Sequence, residues 1–202
     1  MTAIIDYGVG NLFSLLSSLE AVGAEAAVTS SPELIAASDR MILPGVGAFG
    51  DAAAKLGVTG LGEVVKEQAA KGKPVLGICL GMQLLFEQSY EFGEHKGLGL
   101  IPGSVVPVSG LVPRGYKIPH IGWNALRIRR QSPILKYVKD GDYVYFVHTY
   151  AAVGCDGYVT ADTEYGAYLT AAVGDGCVYG CQFHPEKSGG TGLSILKAFT
   201  EL

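Results

Sequence analysis

Three residues of this chain have types and settings suited to acyl transfer: Cys79, His184 and Glu186. Cys79 sits in Gly77-Ile78-Cys79-Leu80-Gly81, between an apolar run and a helix-like segment. A nucleophile with glycine two places away on either side, at a strand-to-helix junction, is the nucleophile-elbow pattern with sulfur replacing oxygen. The small flanks let the backbone take a sharp turn that a side chain would block. The turn lifts the thiol into the open at the carboxyl end of the strand. It also sets the sulfur at a helix N-terminus, where free N–H groups and the dipole favour a thiolate. The plain alternative is a core cysteine beside packing glycines.

A sulfur nucleophile needs a base. The chain has four histidines, His95, His120, His148 and His184. His184 lies in Phe183-His184-Pro185-Glu186-Lys187, just beyond a strand. Pro185 is expected to keep the local chain extended, so that His184 and Glu186 point the same way. Their Cα atoms would then be about 6.5–7 Å apart, which lets a carboxylate reach the imidazole. Base and orienting acid thus come from one tripeptide, in the Cys–His–acid form of the triad. The alternative is a solvated loop histidine beside a solvated glutamate.

Acyl transfer also needs donors for the developing oxyanion. The elbow supplies one, the N–H of Leu80. A second is expected from Pro44-Gly45-Val46-Gly47 at the end of a neighbouring strand. Glycines on both sides of Val46 let its peptide flip, so that an N–H rather than a carbonyl faces the substrate. A plain glycine turn is the competing reading.

Secondary structure must position these groups. Residues 3–5 read as a buried strand, 6–11 as a glycine turn, and Leu12, Leu15, Leu16 and Leu19 as a helix that Gly23 ends. Gly8-x-Gly10 lacks the third glycine of a dinucleotide fingerprint, since position 13 is Phe13. Strands are expected at 25–29, 41–43 and 75–78, with helices at 32–38, 52–56, 61–70 and 82–86. Later, short β runs alternate with Gly and Pro over 97–130, and Tyr143 to Tyr150 (YVYFVHTY) reads as one strong strand. Further strands follow at 157–163, 167–173 and 177–183, and a helix at 192–202. The pattern predicts an α/β fold: a mostly parallel central sheet flanked by helices, with antiparallel strands in the second half. One domain over 1–202 is expected, with no linker or repeat.

Composition narrows the function. A formal charge of −4 without a basic block argues against nucleic acid. Only 17% of residues are charged while 49% are hydrophobic, so a partner is expected to cover part of the surface. No apolar run is long enough to span a membrane. Met1-Thr2-Ala3-Ile4 is not a signal peptide, and a cytoplasmic location is expected. The four cysteines, Cys79, Cys155, Cys177 and Cys181, do not form a secreted disulfide pattern. A zinc site at Cys177, Cys181 and His184 is disfavoured. Four residues of strand part the two sulfurs by roughly 13 Å, too far for bonds near ~2.3 Å.

With these residues placed, the chain resembles the class I (triad-type) glutamine amidotransferases through GICLGMQLLFE and FHPE. More narrowly it is similar to the glutaminase subunits of imidazole glycerol phosphate synthases, in histidine biosynthesis. The narrower likeness rests on DYGVGN, LPGVGAFGD, HIGWN, YFVHTY, TEYG and FHPEKS, which span nearly the whole chain. Residues 109–117 fit none of its motifs. The resemblance implies that Cys79 attacks the side-chain amide of glutamine, that His184 shuttles the proton and that Glu186 holds the ring. It implies an oxyanion hole at Val46 and Leu80, with Gly47, Gln83, Glu91, Thr149 and Tyr150 holding the head group. It implies no cofactor and no metal. It also implies a (β/α)8-barrel cyclase subunit as heterodimer partner, docked through Asn11, Trp123, Tyr145 and Lys187. Core packing is the competing reading for Trp123 and Tyr145.

Overall fold

The apolar stretch Val75–Ile78 is a strand buried along its whole length, the fourth in a nine-stranded sheet. The computed structural model describes residues 1–202. The first part of the chain runs β1 (Thr2–Ile5), α1 (Leu12–Ala21), β2 (Ala26–Thr29), α2 (Pro32–Ala37), β3 (Arg40–Leu43), α3 (Phe49–Thr59), α4 (Leu61–Ala70), β4 (Val75–Ile78) and α5 (Leu80–Leu84). Next come β5 (Phe86–Ser89), β6 (His95–Lys96), β7 (Ile101–Pro107), β8 (His120–Ile128), β9 (Tyr143–His148) and β10 (Tyr150–Val153). The chain ends with β11 (Val159–Glu164), β12 (Tyr168–Asp175), β13 (Val178–Cys181) and α6 (Gly189–Thr200).

The large sheet has the order β2-β1-β3-β4-β13-β12-β11-β8-β9. Its first five strands are parallel and the rest antiparallel, as the sequence pattern predicts. A second sheet, β10-β7-β5-β6, packs beside it. Alternate side chains of each strand feed opposite faces. Ala3 and Ile5 join a core with α2, α3, α4 and the second sheet. Ile4 joins another with α1 and α6. A parallel sheet covered on both faces needs apolar residues throughout, which explains the unbroken run at β4.

Two expected elements differ. The helix after Cys79 stops at Leu84, and Phe86 begins strand β5, fully buried against Ile101 in the second sheet. The run at 143–150 breaks at Thr149. β9 forms the edge of the large sheet, and β10 crosses to the second sheet, where Val108 N–H donates to Thr149 O at 2.9 Å.

Candidate active site

Cys79 follows β4 directly, and His184 follows β13 by three residues. The two strands are parallel neighbours, with Cys181 paired to Ile78. Both side chains therefore leave the sheet at one carboxyl edge. Cys79 itself takes the strained backbone, with φ 54° and ψ −111°, a region costly for any residue but glycine. The flanking glycines do what is expected of them, leaving open a turn that side chains would block. A Cβ at Gly81 would stand 1.8 Å from Leu43 O, and one at Gly77 would stand 2.7 Å from Gly81 O. They give room for the turn to press against β3; the cysteine does the bending.

Pro185–Lys187 forms a 3-10 turn rather than the extended segment expected. The turn still brings His184 Nδ1 to Glu186 Oε1 at 2.8 Å. Ser188 fastens it: its hydroxyl donates to His184 O at 2.6 Å and accepts from Tyr145 N–H at 2.9 Å. His184 N–H donates in return to Tyr145 O at 3.0 Å. The turn is thus pinned to β9.

Two histidines near the sulfur have opposite electrostatics. Burial works against a charged His184, yet hydrogen bonding and charge attraction from Cys79 and Glu186 outweigh it and raise its pKa to about 9. Glu186 Oε2 is buried without a partner. The sulfur has further contacts, to Gln182 Nε2 at 3.7 Å and Val147 O at 4.0 Å. His148 is pushed down to about 4, chiefly by burial. Its Nδ1–H donates to Tyr150 O at 2.8 Å, and its Nε2 faces His120 Nδ1 at 2.9 Å. It is a neutral structural ring.

Val46, Gly47, Leu80, Gln83, Glu91, Thr149 and Tyr150 all line one cavity of about 250 Å³ with Cys79. His184 and Glu186 lie behind its wall, with side chains 4% exposed. The N–H groups of Val46, Gly47, Leu80 and Thr149 donate to nothing in the chain. Glu91 Oε2 accepts from Phe49 N–H at 2.6 Å, tying its loop to the start of α3. Gln83 Nε2 donates to Tyr150 O at 3.1 Å and to Gln182 Oε1 at 3.0 Å. Both of its hydrogens are thereby used, and the atom left for a ligand is Oε1.

The residues expected at the surface are placed differently. Trp123 is 52% exposed and pairs edge-to-face with Tyr145 across β8 and β9, at 6.0 Å between centroids, so it is not a core residue. Lys187 is exposed beside the histidine turn. Asn11 is exposed and caps α1 through Ser14 N–H. Gln182, Ser188 and His148 were not singled out by sequence reasoning. Ser188 and His148 stand in FHPEKS and YFVHTY, but their long-range partners, Tyr145 and His120, lie on β9 and β8.

A sulfur, an imidazole and a carboxylate at one edge of this sheet, beside a pocket of free N–H groups, define a class. Residues 3–201 match the family model described as glutamine amidotransferase class-I, and the chain belongs to that family. Solved structures agree on the fold. A glutamine amidotransferase crystal structure superposes with TM-score 0.76 at 18% identity, covering 99% of both chains. PurLQS from Thermotoga maritima gives 0.75 at 20% identity, covering 99% of this chain and 97% of that one. The particular branch follows from nearer relatives. Imidazole glycerol phosphate synthase subunit HisH of Caldanaerobacter subterraneus subsp. tengcongensis is 53% identical, over 100% of this chain and 98% of the relative. The HisH subunit of Aquifex aeolicus is 50% identical, over 98% and 95%. The chain is a glutamine amidotransferase subunit of the imidazole glycerol phosphate synthase kind, in histidine biosynthesis.

Proposed function

We propose that residues 1–202 act as one amidotransferase domain that hydrolyses glutamine to glutamate and ammonia through Cys79, His184 and Glu186. The ammonia passes to a cyclase subunit, which forms imidazole glycerol phosphate and aminoimidazole carboxamide ribotide. The observation that carries this reading is geometric: His184 Nδ1 lies 2.8 Å from Glu186 Oε1, and the parallel pairing of β4 with β13 brings that ring to the strand end that bears Cys79. The imidazole, oriented by Glu186, takes the thiol proton. Cys79 Sγ attacks the amide carbon, and the oxyanion is met by the N–H of Leu80 and of Val46. His184 then gives its proton to the departing ammonia. Water, deprotonated by the same ring, cleaves the thioester and releases glutamate.

The pocket suits the glutamine head group. Glu91 and the free Oε1 of Gln83 accept from the α-ammonium, while N–H groups at Gly47, Thr149 and Tyr150 meet the α-carboxylate. Its volume of about 250 Å³ lies just below the ~300 Å³ where ligand pockets usually begin, which fits an amino acid.

Ammonia released into neutral water would protonate and lose its nucleophilicity, so it is delivered under cover of the (β/α)8-barrel partner. The docking face is the outer side of β8 and β9. Ile121, Trp123 and Tyr143 there are 57%, 52% and 58% exposed, and Tyr145, Asn11 and Lys187 complete it. No helix is long and apolar enough to cross a membrane, in keeping with a cytoplasmic biosynthetic subunit. Binding of the cyclase would also set the Val46 peptide, which glycines free on both sides. Full glutamine turnover by the chain alone would rule that gating out.

The direct test uses a glutamine-analogue electrophile. It should label Cys79 stoichiometrically and abolish ammonia release, and Cys79→Ala should neither label nor turn over. Rescue of a histidine auxotroph lacking this subunit should require Cys79, His184 and Glu186. Labelling elsewhere with activity intact would overturn the assignment.

A further inference from the structure

The polarity of a line of buried amides ends at the reactive sulfur. The line starts at the Tyr150 carbonyl, which can only accept. Gln83 therefore turns its Nε2 toward it, at 3.1 Å. The second hydrogen of that nitrogen goes to Gln182 Oε1 at 3.0 Å. With its oxygen engaged, Gln182 presents its own Nε2 to Cys79 Sγ at 3.7 Å. Turning Gln182 over would set two NH2 groups face to face and aim a carbonyl oxygen at the sulfur. His148 Nδ1–H takes the other lone pair of the Tyr150 carbonyl at 2.8 Å, so the starting point is doubly held. Gln182 is 0% exposed and Gln83 5%, so water does not replace these bonds.

We propose that Gln182 is a catalytic residue whose side-chain N–H donates to the Cys79 sulfur and stabilises negative charge on it. The proposal rests on Cys79 being the nucleophile. The strand register makes the contact possible: Cys181 pairs with Ile78, so the next residues along, Gln182 and Cys79, lie side by side. The Gln182 backbone is fixed by its own N–H to Ala171 O at 2.8 Å. A hydrogen bond to an ionised acceptor in a dry setting is stronger than one between neutral groups. Gln182 also does what His184 cannot. The ring gives up its proton to ammonia, whereas the amide keeps its hydrogens through the whole cycle. It is therefore still donating when the sulfur leaves the thioester as an anion.

The test is alkylation of Cys79 by iodoacetamide in the full chain, followed by peptide mass spectrometry, in Gln182→Met and Gln182→Glu. Met keeps the length without an N–H, and Glu keeps the acceptor toward Gln83 without the donor. We expect alkylation at pH 7 to slow about tenfold in both, the population change that one pH unit represents, and to recover at higher pH with the thermal midpoint little changed. A folded Gln182→Met that alkylates at the parental rate overturns the proposal. A purely structural role would move the thermal midpoint and leave the pH profile in place. If the variants do not fold, the side-chain amide resonance of Gln182 in the unmutated chain decides. It should move when Cys79 is alkylated, and no movement overturns the proposal. Cys79→Ser that still hydrolyses glutamine in the presence of the cyclase sinks the reading of the site and this inference together. An inactive Cys79→Ser beside an unaffected Gln182→Met sinks this inference alone.

Discussion

His184, beyond β13, and His148, at the end of β9, are pushed in opposite directions by their surroundings. The charged state of His184 is favoured in the folded chain, with its pKa raised from 6.5 to about 9. Its contribution to stability is therefore full below about 6.5 and is lost as pH rises through about 9. Cys79→Ala removes one source of that shift. The His184 titration midpoint, followed by NMR, should fall, and stability should decline less between neutral and alkaline pH. For His148 the sign reverses. Its pKa falls from 6.5 to about 4, so its contribution is present above 6.5 and is lost as pH falls toward 4. The shift corresponds to roughly 3 kcal/mol. His148→Asn, which retains a donor for Tyr150 O, should flatten the acid limb of a denaturation series over that range. The His184–Glu186 pair was legible because base and acid share a tripeptide. Ser188, Gln182 and His148 were not, because each also has a partner tens of positions away, Tyr145, Cys79 and His120 in turn, that only the fold brings close.

At the scale of elements, close approach matters more than propensity. A Cβ at Gly192, on the inner face of α6, would stand 1.9 Å from Pro185 O, the first residue of the histidine turn. One at Gly190 would meet nothing within 4 Å. Gly192→Ala should push the turn off its seat, cost on the order of 1–3 kcal/mol of stability and depress glutaminase activity together with it. Gly190→Ala should be near neutral in both calorimetry and turnover. The alternation of strands and helices through β4 could be read from the sequence, since helix and strand periods are local. The switch at Thr149 could not. A chain that leaves one sheet for another keeps its β period, and only a missing ladder partner betrays the change. Phe86 was misread for a related reason: an apolar residue after a short helix fits another turn of it equally well, until Ile101 is seen opposite.

For the whole molecule, the composition pointed to a covered surface, and one cluster of exposed apolar side chains stands on the β8 and β9 edge of the large sheet. Ile121, Trp123, Tyr143 and Tyr145 stand on the same side of β8 and β9. Large exposed aromatics in such a patch are typical anchors of a partner. Trp123→Ala should weaken association with the cyclase subunit by at least about tenfold, since anchor truncations often exceed ~1.4 kcal/mol. The thermal midpoint of the isolated chain should stay within a few degrees, because the ring is half exposed. Titration by calorimetry or sedimentation would show it, and unchanged affinity would move the docking face elsewhere.

The place of β13 has one more implication. It comes about a hundred residues after β4 in sequence, yet it slots into the middle of the sheet, between β4 and β12. A ribosome-bound chain that has emerged only as far as Ser89 already carries the sulfur but neither the ring nor the carboxylate. Until Val178–Cys181 pairs with β4, neither of those groups has a place beside the sulfur. The sulfur, the ring and the carboxylate therefore meet only once β13 has entered the sheet, and with it come Val178, Tyr179, Cys181 and Phe183 of the core.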